Sequence, residues 1–174
     1  GKGIGCDVIS EVLKDQKEVE GMILNLGGSS VFAYGQKPDD SPWKVAVTDP
    51  RDTEGEYLGA ITIEGGEFLS TSGDYEKYFM EDGKRYHHIF DPATGYPADS
   101  GLRGVTVIDS CSTKADALTT ALFVMGLDKG MKFCEENKIA AVFITSDKQV
   151  YTTSKTGDYA FEFLGEKKGY NYAE

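Results

Sequence analysis

Two short passages of the sequence combine residue types that can handle a phosphate ester. His88-Ile89-Phe90-Asp91-Pro92-Ala93-Thr94-Gly95 sets an ionisable imidazole beside a polar turn, and Ala115-Asp116-Ala117-Leu118-Thr119-Thr120-Ala121 opens a helix with an acid and a hydroxyl. Asp116 and Thr120 are four apart, so they stack on one helix face. A carboxylate and a hydroxyl in that relation can place two oxygens on a hard cation such as Mg²⁺, with substrate phosphate and water completing an octahedron. The pair also has a metal-free explanation: Asp116 closes a capping box with Thr113, and Thr120 bonds back to a helix carbonyl. His88 divides in the same way between a packed strand histidine and a near-neutral proton acceptor, a capacity shared only with its neighbour His87. Successive strand residues face opposite ways, so at most one of the two looks into a given cleft.

Two further stretches offer groups to a ligand. Ser70-Thr71-Ser72-Gly73-Asp74-Tyr75 gathers hydroxyls, a glycine and a carboxylate at a strand end, where freed amides can hold a phosphate or a flavin edge, or where the chain simply turns. The paired Gly27 and Gly28 let a ligand approach the backbone closely, or make a tight turn. No G-x-G-x-x-G spacing accompanies them and no helix follows, which excludes a Rossmann dinucleotide fingerprint. A Ser-His-Asp order and a G-x-S-x-G elbow are both missing, so a hydrolase triad has little support.

The elements needed to position these groups can be read from periodicity. Residues 6–14 form an amphipathic helix with Val8, Ile9, Val12 and Leu13 on its apolar face and Asp7 complementing the dipole. Residues 21–26 and 31–34 are strands about the glycine pair. Strands follow at 43–48 and 57–63, separated by the turn Asp49-Pro50-Arg51-Asp52, and Glu64-Gly65-Gly66-Glu67 returns the chain as a hairpin into 68–72. Residues 75–80 and 85–90 form a second hairpin across Asp82-Gly83, which carries the strongest turn signal in the chain. After a strand at 102–108, residues 113–126 read as a buried helix ending at Gly126. Residues 127–137 are an amphipathic helix with Met131, Phe133 and Cys134 inward. A strand pair at 139–145 and 149–154 follows, and Tyr159, Phe161 and Phe163 alternate as a possible edge strand.

Composition bounds the function. With 29 acidic against 18 basic side chains, the net charge of -11 opposes contact with a phosphodiester backbone, so no nucleic acid partner is expected. Any small anion needs a bound cation or a helix N-terminus to reverse the field locally. No apolar run approaches the roughly 18 residues of a membrane helix, which makes the chain itself soluble. Cys6, Cys111 and Cys134 have neither disulfide-scaffold nor zinc spacing and read as inert thiols.

Taken in order, Lys2-Gly3 with Asp7, Leu26-Gly27-Gly28, Ser70 to Tyr75, His88 to Pro97 and Ala115 to Leu122 resemble the ApbE family of FAD:protein FMN transferases. The resemblance spans most of the chain. It implies an α+β fold, a mixed α/β structure of largely antiparallel sheets with packed helices. It also implies that residues 1–174 are a single domain, the C-terminal portion of a longer enzyme. The implied reaction is Mg²⁺-dependent transfer of FMN from FAD to a threonine or serine hydroxyl of a target protein, with release of AMP. Alternatives are an FAD pyrophosphatase giving FMN and AMP, and a non-catalytic flavin-binding module. By motif, Asp116, Thr120 and the backbone of Gly1 correspond to metal ligands, and His88 to the catalytic residue. Gly27, Gly28, Ser72, Gly73, Asp74 and Tyr75 correspond to flavin or phosphate neighbours, together with Asp7, whose role in the motif is open. The implied partners are FAD and an acceptor protein, such as a subunit of a redox-driven ion pump. The implied address of the full-length parent is extracytoplasmic and membrane-anchored.

Overall fold

The computed structural model describes residues 1–51 and 55–173, so Asp52 of the expected turn lies outside the described residues. The fold is α+β, with helices α1 (Lys2–Leu13), α2 (Ser112–Met125) and α3 (Leu127–Asn137) on one face of a seven-stranded sheet. That sheet is built from β1 (Gly21–Leu26), β2 (Ser30–Gly35), β5 (Phe68–Gly73), β8 (Leu102–Asp109), β9 (Ala140–Thr145), β10 (Gln149–Thr152) and β12 (Asn171–Ala173), in that spatial order. A three-stranded sheet of β11 (Phe161–Phe163), β4 (Tyr57–Ile63) and β3 (Trp43–Thr48) covers its other face. The hairpin β6 (Tyr78–Glu81) and β7 (Lys84–His87) stands apart as a two-stranded sheet. The described strand pairs are antiparallel except β10 with β12. Among the described residues no helix is long and apolar enough to cross a membrane.

Strand alternation sorts the core into layers. On β8, Val105 and Val107 face α2 and α3, packing with Leu122, Phe123 and Cys134, while Ile108 faces the small sheet with Val45, Leu58 and Ile61. A third cluster seats Cys6 and Leu13 of α1 over Phe32 and Phe68, whose rings stack 4.5 Å apart. Fully buried rings such as Phe32, Phe123 and Phe143 each contribute about 1.5–3 kcal/mol from removed apolar surface.

Several sequence expectations are corrected. Helix α1 begins at Lys2, four residues earlier than its apolar period suggests, and its inward face is Gly3, Cys6 and Leu13. Val8 and Val12 are each 57% exposed. Gly3 explains the rotation: a Cβ there would lie 2.5 Å from the Ser112 carbonyl oxygen, so α1 meets α2 through a bare backbone. The Glu64 to Glu67 connection is not a hairpin. It carries the chain from the small sheet, where β4 pairs with β3 and β11, to the large one, where β5 pairs with β2 and β8. Helix α2 is buried on one face only, for Ala117, Ala121 and Met125 are exposed. Its capping box does not form either, because Cys111 is the N-cap and the Thr113 hydroxyl donates to Asp7. The glycine turn between β1 and β2 and the Asp82-Gly83 turn stand as read, with φ of 60° and 74° at Gly27 and Gly28 and of 49° and 76° at Asp82 and Gly83. The terminal strand β12 was not expected.

Candidate functional site

Beside the start of α1 lies a cleft of about 210 Å³, lined by Gly1, Lys2, Ser29, Thr71, Ser72, Gly73, Glu76, Lys77, His88, Asp116 and Thr120. Its residues come from six parts of the chain: the α1 N-terminus, the β1–β2 turn, the end of β5, the connection from β5 to β6, the residue after β7 and the first turns of α2. The sequence therefore separates by more than a hundred positions groups that the fold places together.

Helix α2 contributes the oxygens. Asp116 Oδ2 accepts the Gly3 amide at 3.0 Å and lies 3.4 Å from the Gly1 backbone nitrogen, while Oδ1 accepts no hydrogen bond among the described residues. One turn on, Thr120 Oγ1 lies 3.2 Å from Ser72 Oγ, which also meets Thr119 Oγ1 at 2.8 Å. The hydroxyl that bonds back into the helix is that of Thr119, donating to the Asp116 carbonyl at 2.9 Å. Thr120 is thus left on the cleft side. The Gly1 carbonyl accepts the Gly5 amide in the first turn of α1, leaving its second lone pair. Lys2 Nζ is held by the Gly27 carbonyl at 3.1 Å and Ser29 Oγ at 2.8 Å, with Glu76 Oε2 at 3.9 Å.

The two histidines divide as strand alternation requires. His87 is buried: its Nδ1 accepts the Ile89 amide, so its Nε2 carries the proton and donates to the Ala98 carbonyl at 3.1 Å. Its ring meets Phe123 edge-on at 5.6 Å. Burial holds its pKa below the ordinary histidine value, against the raising effect of the Ala98 bond. His88 is exposed to the cleft, and its Nδ1 lies 3.2 Å from the Lys77 carbonyl. A carbonyl only accepts, so Nδ1 is protonated and the Nε2 lone pair is free. The following turn is tied by Asp91, whose side chain accepts the Ala93 amide at 2.8 Å and whose carbonyl accepts the Gly95 amide at 2.8 Å.

The remaining sequence-predicted residues divide between the cleft wall and other tasks. Ser72 and Gly73 line the cleft; Gly27 and Gly28 stand behind Lys2 and supply the turn that aims the Gly27 carbonyl at it. Asp74 is fully buried elsewhere, gripped by Arg51 at 2.9 and 2.7 Å and by Arg103 at 3.0 Å. Tyr75 packs its ring against Gly73, where a Cβ would sit 2.1 Å from it, and burial raises its phenol pKa. Asp7 spends both oxygens on the N-terminus of α2, accepting the amides of Ser112 and Thr113, each at 2.8 Å. Burial pushes its carboxyl up, but the bonds from Thr113, Ser112 and Cys111 outweigh it and hold the pKa below the usual value. Glu76, Lys77 and Ser29 went unrecognised in sequence, because a lone charge or hydroxyl beside a turn carries no distinguishing pattern.

The donor set can be tested against a metal. Among the described residues no group of three or more His, Cys, Asp or Glu is placed to hold an ion alone. One carboxylate with hydroxyl and carbonyl oxygens suits a small hard cation that takes its other ligands from substrate phosphate and water, as Mg²⁺ does.

A family model described as the ApbE family matches residues 1–143. The FAD:protein FMN transferase of Haemophilus influenzae is 35% identical over 167 residues, 96% of this chain and 47% of the relative. That of Klebsiella pneumoniae is 38% identical over 154 residues, 88% of this chain and 46% of the relative. Among solved structures, the flavin transferase ApbE from Vibrio cholerae aligns with a TM-score of 0.77 at 32% identity, covering 91% of this chain and 50% of that one. The ApbE protein from Thermotoga maritima aligns with a TM-score of 0.73 at 34% identity, covering 97% and 50%. The chain spans about half the length of the curated relatives it matches.

Proposed function

The chain belongs to the ApbE family, and on that premise we propose that it carries the transfer site of an enzyme moving FMN from FAD to a threonine or serine hydroxyl of an acceptor protein, with Mg²⁺ required. On this reading residues 1–174 are one domain, the C-terminal portion of a longer enzyme. The observation that carries it is the convergence of His88, Lys2, Asp116 and Thr120 on one cleft. At about 210 Å³ the cleft is smaller than the roughly 300 Å³ at which ligand pockets begin. It therefore suits a diphosphate and an incoming hydroxyl, with the rest of the dinucleotide held elsewhere.

His88 Nε2 takes the proton of the acceptor hydroxyl as its oxygen bonds to the FMN-side phosphorus. The P–O bond to the bridging oxygen breaks, and that oxygen leaves with AMP. The Lys77 carbonyl, fixed on Nδ1, keeps the ring in the tautomer that accepts at Nε2. Lys2 sets an ammonium beside the phosphates, offsetting locally the repulsion of a chain of charge -11. Asp116, Thr120 and the Gly1 carbonyl would hold the metal, which neutralises the pyrophosphate when bound. The family resemblance further suggests an extracytoplasmic, membrane-anchored parent and an acceptor in a redox-driven ion pump.

The test is AMP release by the full-length parent with FAD and Mg²⁺, with and without an acceptor peptide. His88→Asn retains a donor for the Lys77 carbonyl but has no free Nε2, and is expected to slow release by about 10²–10⁴-fold. Asp116→Asn retains an oxygen for the Gly3 amide and is expected to raise the Mg²⁺ requirement. Undiminished release by both variants would overturn the assignment, and FMN formed regardless of peptide would make the enzyme a pyrophosphatase.

A further inference from the structure

We propose that Asp7 is a positioning residue for this cleft, locking α1 to α2 so that Lys2 and Gly1 stand opposite Asp116 and Thr120; this rests on the transfer reading above. Neither helix caps its own N-terminus with a side chain. Instead each caps the other. Asp7, on α1, accepts the Ser112 and Thr113 amides at the start of α2, and the Thr113 hydroxyl at 2.5 Å. Asp116, on α2, accepts the Gly3 amide at the start of α1. The helices touch at Gly3, so their distance is fixed by backbone contact. The two reciprocal caps then fix rotation and slide.

A serine or aspartate at position 111 would stabilise α2 equally well, because these types are preferred at an N-cap and Cys111 has the extended conformation such a residue adopts, with φ -128° and ψ 112°. The cap arriving from α1 does one thing more: it sets which residues of the two helices face each other. Asp7 lies outside the cleft lining, so its effect reaches substrate only through the relative placement of the two helices it ties.

The distinction is testable in the full-length parent with Asp7→Ala and with the double variant Asp7→Ala, Cys111→Asp, which returns a local cap to α2 without the tie to α1. Melting temperature reads the cap. Binding of Mn²⁺ in the presence of AMP, followed by the free-ion electron paramagnetic resonance signal, reads the geometry. Asp7→Ala is expected to melt lower and to weaken Mn²⁺ binding about tenfold. The double variant is expected to recover melting while Mn²⁺ binding stays weak. Recovery of both, or unchanged Mn²⁺ binding in Asp7→Ala, would reduce Asp7 to an ordinary cap and overturn the proposal alone. A wild-type parent that neither binds Mn²⁺ nor releases AMP would overturn the transfer reading and this proposal together.

Discussion

Replacing Gly3 with alanine inserts a methyl group where α1 and α2 touch. The new Cβ would lie 2.5 Å from the Ser112 carbonyl oxygen and 2.7 Å from Asp116 Cβ, against ordinary contacts of 3.4 Å or more, so the helices must part by about 0.9 Å. Neither neighbour is the tip of a flexible side chain, which places the cost near the upper end of overpacking, about 3 kcal/mol. Alanine returns about 1 kcal/mol of helix propensity. The net loss of about 2 kcal/mol corresponds to a fall in melting temperature of about 4–8 °C for a domain of this size. Gly5→Ala is the internal control. Its nearest neighbour is Leu26 Cδ1 at 3.1 Å, which can swing aside, so it should melt level with the wild type or about 2–4 °C higher. Calorimetry of the two variants decides the matter. If Gly3→Ala melts at or above Gly5→Ala, the close approach of the helices is refuted.

Two more outcomes follow from buried titratable groups. Burial lowers the His87 pKa, so below about pH 6.5 the unfolded chain takes up a proton that the native ring resists. Stability from this site is complete above that pH and declines as pH falls toward the native value; denaturant midpoints between pH 7 and 5 should show the slope, and His87→Gln should flatten it. Burial also raises the Cys6 thiol and pushes Cys134 up to about 12, whereas Cys111 is exposed. Titration with a thiol reagent should find one reactive cysteine in the native protein and all three after denaturation, and a second fast native thiol would contradict the packing beneath α1 or α3.

Local features were legible in sequence, and features made by distant partners were not. The Asp82-Gly83 and Gly27-Gly28 turns could be read because left-handed backbone restricts residue type. The α2 terminus at Gly126 could be read for the same reason. The inward face of α1 could not: Val8 and Val12 carry the apolar period, but a glycine contact between helices leaves no hydrophobic signal. Asp74 looked like a ligand neighbour because its two arginines, Arg51 and Arg103, lie 23 and 29 positions away. At the cleft, Ser72, His88, Asp116 and Thr120 could each be picked out in sequence by residue type and spacing, but their convergence depended on the pairing of β5 with β8 and the packing of α2 on both.

The reciprocal caps also set an order of assembly. Those made by Asp7 span 105 and 106 positions, and closing so long a loop costs about 3 kcal/mol more than closing the three-residue loop of a local cap. Neither can persist until β2, β5 and β8 have paired and brought the helices into range. The cleft is accordingly a late product of folding, and a nascent or partly unfolded chain presents the groups that line it apart from one another.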